Sequence, residues 1–177
     1  MLDDLMNIRS KKIAINSLIS SFSLILAIIS RYLFIPFLPV LKIDLSDFPI
    51  FLSTFLFGFS SGSVILFVVS LIKCLFFSST GWMGFIMKMI SILSIAFIEI
   101  YHRKRENLLL LMICAIIFPI FVKIPINYVL WTKFYFKSAD TFINFILPIV
   151  IPYNLTKNLV NLLLAYLFYK KMKNFKV

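Results

Sequence analysis

Charge is scarce in this chain, and negative charge scarcer still. Only 14% of its 177 residues are charged, and seven acidic residues stand against eighteen lysines and arginines. Soluble domains carry about 25% charged and roughly 45–50% apolar residues; here apolar side chains make up 62%, so water is not the main solvent of the folded chain. Histidine occurs once, as His102 in the basic stretch Tyr101-His102-Arg103-Lys104-Arg105, which excludes a histidine relay or a histidine-built zinc cluster. Cys74 and Cys114 each lie in an apolar stretch with no Cys or His at ligand spacing, which argues against a disulfide or a metal site. Glycine is limited to four residues, and Gly58-Phe59-Ser60-Ser61-Gly62-Ser63 lacks the lysine of a phosphate-binding loop, so ATP hydrolysis by that route is excluded.

What is present is apolar sequence in long runs, at 13–35, 48–59, 62–77, 82–101, 108–131 and 141–169. A crossing needs about 20 residues, so the expectation is one membrane domain over 1–177: an all-α integral membrane protein, a six-transmembrane-helix bundle whose first outer loop is partly extended. The first run follows a basic N-terminus but is too long for a signal peptide and lacks a small-x-small cleavage site, so it reads as a retained helix. The second and third runs are separated only by Ser60 and Ser61; one long helix is the alternative, and Gly58 and Gly62 favour a tight turn instead.

The basic residues decide between these. Arg9, Lys11, Lys12, Arg103, Lys104, Arg105, Lys170, Lys171, Lys173 and Lys176 all fall on one side of a six-crossing bundle, leaving Lys42, Lys133 and Lys137 on the other. The positive-inside rule makes the rich side cytoplasmic, with both termini there and the chain in the cell membrane. Merging the second and third helices would put the Arg103 cluster outside. The net charge of +11 is therefore a topological signal rather than a nucleic-acid footprint. Arg31, Lys73, Lys88, Lys123 and Lys157 lie within the apolar runs. Arg31 and Lys73 are read as snorkelling to the headgroups, whereas Lys123 and Lys157, beside other polar residues, are read as cavity-lining.

Pro119, Pro125, Pro148 and Pro152 interrupt the outer parts of the last two helices, and each interior proline removes a helix hydrogen bond. Irregular backbone at membrane depth is tolerated around protein or a water-filled cavity, so these positions suggest a pocket opening outward.

Four constellations could carry function. In Leu41-Lys42-Ile43-Asp44-Leu45-Ser46-Asp47-Phe48-Pro49, polar and apolar residues alternate as in an extended segment, and Asp47 reads as the cap of the next helix. A plain solvated loop accounts for the same pattern, and the possible carboxylate pair Asp44 and Asp47 is adequately explained as loop and cap. Asn127, in Ile124-Pro125-Ile126-Asn127-Tyr128, offers an amide donor and acceptor that suit either a heterocycle edge or interhelical contact. Asn154, Lys157 and Asn158 share a helical face that Asn161 extends. Ser10, Ala14, Ser17 and Ser21 form a small-residue face along the first helix, suited to packing within the bundle or to docking a second membrane protein.

These constellations together resemble the substrate-binding S components of energy-coupling factor (ECF) transporters, in their riboflavin branch. The resemblance rests on the stretch from Leu41 to Pro49, on Leu56-Phe57-Gly58, on Asn127-Tyr128 and on Pro152-Tyr153-Asn154-Leu155-Thr156-Lys157, in order and spacing. It implies a flavin-binding subunit without catalysis or cofactor of its own, in which riboflavin is the transported substrate. It places Asn127 and Lys157 on the isoalloxazine ring and Leu41 and Tyr128 over its faces. Ile43, Asp47 and Asn154 complete the expected ligand set. It further implies Ala14, Ser17 and Ser21 as the docking face for a transmembrane coupling protein, with two ATPases supplying energy and lipid as the surroundings. Two departures stand out. Gly84-Phe85-Ile86-Met87-Lys88 carries a lysine where the family often has asparagine, and that cation would suit a phosphorylated flavin such as FMN; serines also replace alanines on the first helix. The alternatives are an S component for another vitamin such as thiamine, or a small membrane-embedded transferase. The latter would need an acidic or His-rich motif that the chain lacks.

Overall fold

The structure is a computed structural model that describes residues 2–30, 34–35, 38–42, 44–77, 81–104, 107–134, 143–144 and 147–174. Its elements are α1 (Leu2–Ile29), β1 (Phe34–Ile35), β2 (Leu38–Lys42), α2 (Asp47–Phe57), α3 (Phe59–Ile72) continued by a π-helical segment (Lys73–Phe77), α4 (Trp82–Met89), α5 (Ile92–Lys104), α6 (Leu108–Phe134) and α7 (Leu147–Asn174). Ser10–Ile29, Phe59–Phe76, Trp82–Tyr101 and Leu108–Phe134 are long and apolar enough to cross a membrane. The helix Asp47–Phe57 is apolar but short. In α7, Asn154, Thr156, Lys157, Asn158 and Asn161 dilute the apolar run.

Several boundaries differ from the sequence expectation. The first helix ends at Ile29, and Phe34–Ile35 is extended and pairs antiparallel with β2. Pro36 explains part of this, because it pushes the preceding residue out of the helical region. The fourth run is two helices, broken at Ile90–Ser91, where Ser91 N–H donates to Lys88 O and Leu93 N–H to Ile90 O. The last helix begins at Leu147.

The turn between the second and third runs is confirmed, and it is made by one residue. Gly58 has φ +84° and ψ −177°, a conformation open to glycine alone, and its N–H closes α2 on Thr54 O at 2.9 Å. Its neighbour Phe59 donates its N–H to Glu99 Oε2 at 2.8 Å, so a carboxylate from α5 serves the first turn of α3. Gly62 lies inside α3 instead of in the turn. A Cβ there would collide with Thr54 Oγ1, so the glycine is what lets α2 and α3 approach closely.

At the centre is α2, packed against α1, α3, α5 and α7. Ile50, Phe51 and Phe55 are fully buried with Ile65, Leu66 and Val69 of α3, Ile95 of α5, and Leu162 and Ala165 of α7. A helix that is apolar all round belongs in such a position. The prolines of α6 and α7 do not end those helices. Pro119 cannot donate to Ala115 O four residues back, and Ser94 of α5 supplies the missing donor, its hydroxyl at 2.7 Å from that carbonyl.

Candidate functional site

The loop entering α2 is held from every side. Ser23 of α1 donates its hydroxyl to Ser46 O at 2.5 Å, and Leu45 N–H donates to Ser30 Oγ at 3.0 Å. From α7, Asn161 Nδ2 donates to Asp44 O at 2.8 Å. The first helix therefore has two faces of small residues. Ser20, Ser23, Ala27 and Ser30 are buried toward the loop and core, while Ala14, Ser17 and Ser21 are exposed beside Ile13, Leu18 and Phe22. Only the exposed face was singled out in the sequence. The buried one follows the same spacing of three and four and was legible by the same rule.

Clamped in this way, the loop presents two carboxylates to lysines from three other elements. Asp44 meets Lys73 Nζ at 2.7 Å, Lys157 Nζ at 3.5 Å and Lys88 Nζ at 3.9 Å. Asp47 meets Lys88 Nζ and Lys157 Nζ, each at 2.8 Å. Lys73 and Lys88 also donate to Ser46 Oγ. Burial alone would raise the Asp44 carboxyl, but the charges of Lys88, Lys157 and Lys73 overcome it and hold the group well below the usual carboxylate range. In a low-dielectric interior such charges persist only when paired.

This network corrects three readings of the sequence. Ser46, not Asp47, is the N-cap of α2, and it makes no side-chain cap bond; Asp47 is the first helical residue, 1% exposed and spent on two lysines. Asp44 and Asp47 are more than a loop residue and a cap, because each is an anchor for charges distant in sequence. Lys73 does not snorkel: it turns inward to Asp44 and Ser46. Lys88 is near the expected pocket, yet its charge is met within the chain by Asp47.

The α6 and α7 faces meet beside this network. Lys123, buried at 4% exposure, reaches Asn154 Oδ1 at 3.5 Å, and Asn154 Nδ2 donates to Val150 O at 2.9 Å. Asn127 lies one turn beyond Lys123 on the same face of α6 and is half-buried. Tyr128, its neighbour, is 39% exposed. Asn158 is 2% exposed, and both atoms of its amide are without a hydrogen-bond partner among the described residues. Lys88, Lys157 and Asp47 thus form one cluster with Asp44 and Lys73, and Asn154 touches Lys123 beside it. Ile43 lies outside the described residues, as does Arg31, and for Leu41 only the main chain, in β2, is described. Among the described residues no group of His, Cys, Asp and Glu could hold a metal ion.

Chemically, this end of the bundle offers ammonium and amide groups with few carboxylates, in apolar surroundings. Such groups recognise carbonyl oxygens, imide edges and anions.

The chain matches the family model for the ECF transporter substrate-specific component over residues 11–171. It is 32% identical over 178 aligned positions to the riboflavin transporter RibU of Staphylococcus aureus (strain TCH60), covering 94% of this chain and 93% of that protein. Its fold superposes with a TM-score of 0.78 on a solved S component of a bacterial ECF transporter, at 28% identity, covering 94% of this chain and 98% of the other.

Proposed function

Because the chain belongs to the substrate-specific components of ECF transporters, we propose that it is a riboflavin-binding S component. In this reading it captures the vitamin outside the cell and delivers it through a transmembrane coupling protein driven by two ATPases. The observation that carries the reading is the meeting of Lys123 of α6 with Asn154 of α7, one turn from Asn127 on α6 and from Lys157 on α7, beside the clamped loop. Amides and ammonium groups so placed suit the carbonyl and imide edge of an isoalloxazine, within the mostly apolar walls usual for small-molecule pockets. Asn127 and Lys157 are the ring contacts, with Leu41, Ile43, Asp47, Lys88, Tyr128 and Asn154 around them.

The bundle crosses the membrane six times, α2 and α7 adding to the four longer spans, and both termini are cytoplasmic. The distribution of Lys and Arg supports this orientation. The coupling protein docks on Ala14, Ser17 and Ser21. Ser17 and Ser21 return their hydroxyls to Ile13 O and Ser17 O, which leaves a flat surface for close helix approach.

Titration of riboflavin with the purified chain in mild detergent, followed by quenching of flavin fluorescence, tests the assignment. Saturable tight binding that weakens in Asn127→Ala is expected. If neither riboflavin nor FMN binds a monodisperse preparation, the flavin assignment falls and other vitamins on the same fold take its place.

A further inference from the structure

At the end of α2 away from the charge network, three tyrosines meet one phenylalanine. Phe55 stacks on Tyr169 of α7 with ring centroids 5.2 Å apart, and Tyr166 of α7 and Tyr101 of α5 reach it at 6.1 and 6.3 Å. Each tyrosine is followed at helical spacing by a lysine: Lys104 three residues after Tyr101, Lys170 four after Tyr166 and Lys173 four after Tyr169. Residues so spaced share a helical face, so packing around Phe55 gathers basic positions from α5 and α7 at one end of the bundle. Lys170, Lys171 and Lys173 are exposed. Acidic residues are sparse here, for none follows Asp140 and only Glu106 lies between Glu99 and Asp140. The dipole at the end of α7 accounts for part of the lysine run, but a helix terminus carries only about half a negative charge. Beside these positions runs an apolar groove, lined by Phe97 and Tyr101 of α5, Leu108 and Met112 of α6, and Phe55. The α5 and α6 residues are half-buried, so the groove opens at the bundle surface, where Leu109 and Leu110 are 74% and 58% exposed. The small-residue face assigned to the coupling protein is on α1, which packs on α2 and α3, so the two surfaces belong to different helices.

We propose that this end of the bundle binds an anionic phospholipid, with an acyl chain in the groove between α5 and α6 and the phosphate at the basic ends of α5 and α7. A phospholipid joins an apolar chain to a charged headgroup through a short glycerol, and the protein presents the same succession of apolar groove, tyrosines and lysines. Tyrosine suits the boundary because its ring is apolar and its hydroxyl polar. Basic clusters at the cytoplasmic ends of membrane helices attract anionic lipid, each Lys or Arg being worth roughly fivefold in affinity. The inference rests on the orientation proposed above, in which this end faces the cytoplasmic leaflet.

Native mass spectrometry of the full chain in detergent tests the site, by titration with phosphatidylglycerol and with phosphatidylcholine of the same acyl chains. Phosphatidylglycerol is expected to bind more tightly. Lys170→Gln combined with Lys173→Gln should lower its affinity by about 30-fold and leave phosphatidylcholine nearly unchanged. Lys11→Gln combined with Lys12→Gln removes the same charge from exposed positions on α1 and should leave the preference intact; exposed substitutions of this kind do not threaten folding. Leu108→Trp, which fills the groove, should weaken phosphatidylglycerol binding with the lysines in place. The site is overturned if the unmodified chain shows no preference, if both double variants lose it equally, or if Leu108→Trp has no effect. The lipid preference is read in detergent without reference to sides, so its absence strikes the site alone. Labelling of Lys176→Cys by an impermeant thiol reagent from outside intact cells, above that of the unmodified chain, would instead strike the orientation.

Discussion

Replacing Lys157 by methionine tests the charge network most directly. Its Nζ lies 2.8 Å from Asp47 Oδ2 and 3.5 Å from Asp44 Oδ2, with the Asp47 side chain 1% exposed. At an effective dielectric of about 20, two unit charges at the shorter distance attract by about 6 kcal/mol. Desolvation of both groups offsets much of that gain. The substitution nevertheless leaves the desolvated carboxylate in place, and breaking a buried pair from one side costs about 3–5 kcal/mol. Lys88 still holds the other oxygen of Asp47 at 2.8 Å, so the lower end, about 3 kcal/mol, is expected, which corresponds to a fall in Tm of roughly 6–12 °C for a chain of this size. Thermal unfolding in detergent, read by the loss of the monodisperse peak on size exclusion, measures it for Lys157→Met, Asp47→Asn and the pair together. Because the double substitution leaves no orphaned carboxylate, it should be less destabilised than the sum of the two singles by about 2 kcal/mol or more. Strict additivity, or a loss below about 1 kcal/mol in Lys157→Met, would refute the view that these charges hold each other.

Three further outcomes follow from local geometry. Ser94→Ala strands the buried Ala115 carbonyl and should cost about 1–3 kcal/mol; adding Pro119→Ala restores a backbone donor to that carbonyl, so the double variant should recover stability in the same unfolding assay. Gly62→Ala drives a methyl into Thr54 Oγ1 and should cost about 1–3 kcal/mol, much of it returned by Thr54→Ala; an undiminished cost in the double variant would contradict the close approach of α2 and α3. Asp44, whose carboxyl lies below its ordinary value, contributes stability that is complete above an unfolded value of about 3.9 and is lost only as pH falls through the lower native value. The Tm difference between the unmodified chain and Asp44→Asn should therefore be constant from neutral pH down to mildly acidic conditions, and a difference that shrinks across that range would count against the ion pairs.

What was legible in the sequence was whatever depends on neighbours along the chain. Apolar runs located the helices because a lipid-solvated or core-buried segment must be apolar over its whole length. Gly58 announced its turn because a positive φ is a property of one residue. The polar stripe of α7 declared itself through helical spacing, and Asn154, Lys157, Asn158 and Asn161 do face the interior to differing degrees. The break at Ile90–Ser91 carried no proline or glycine to announce it and stayed hidden.

The sequence by itself determined that this is a helical protein built around apolar segments, with its basic residues sorted to their ends and a few cations stranded within them. Only the tertiary structure decided what those cations do. Lys73 reaches the Asp44 carboxylate from the π-helical end of α3 and Lys157 from α7, and Lys88 joins them through α4. No local window contains both members of such a pair, so a lysine that snorkels and one that neutralises a carboxylate look alike in sequence. Helix packing distinguishes them, because the cost of burying a charge depends on which opposite charge is brought within a few ångströms of it.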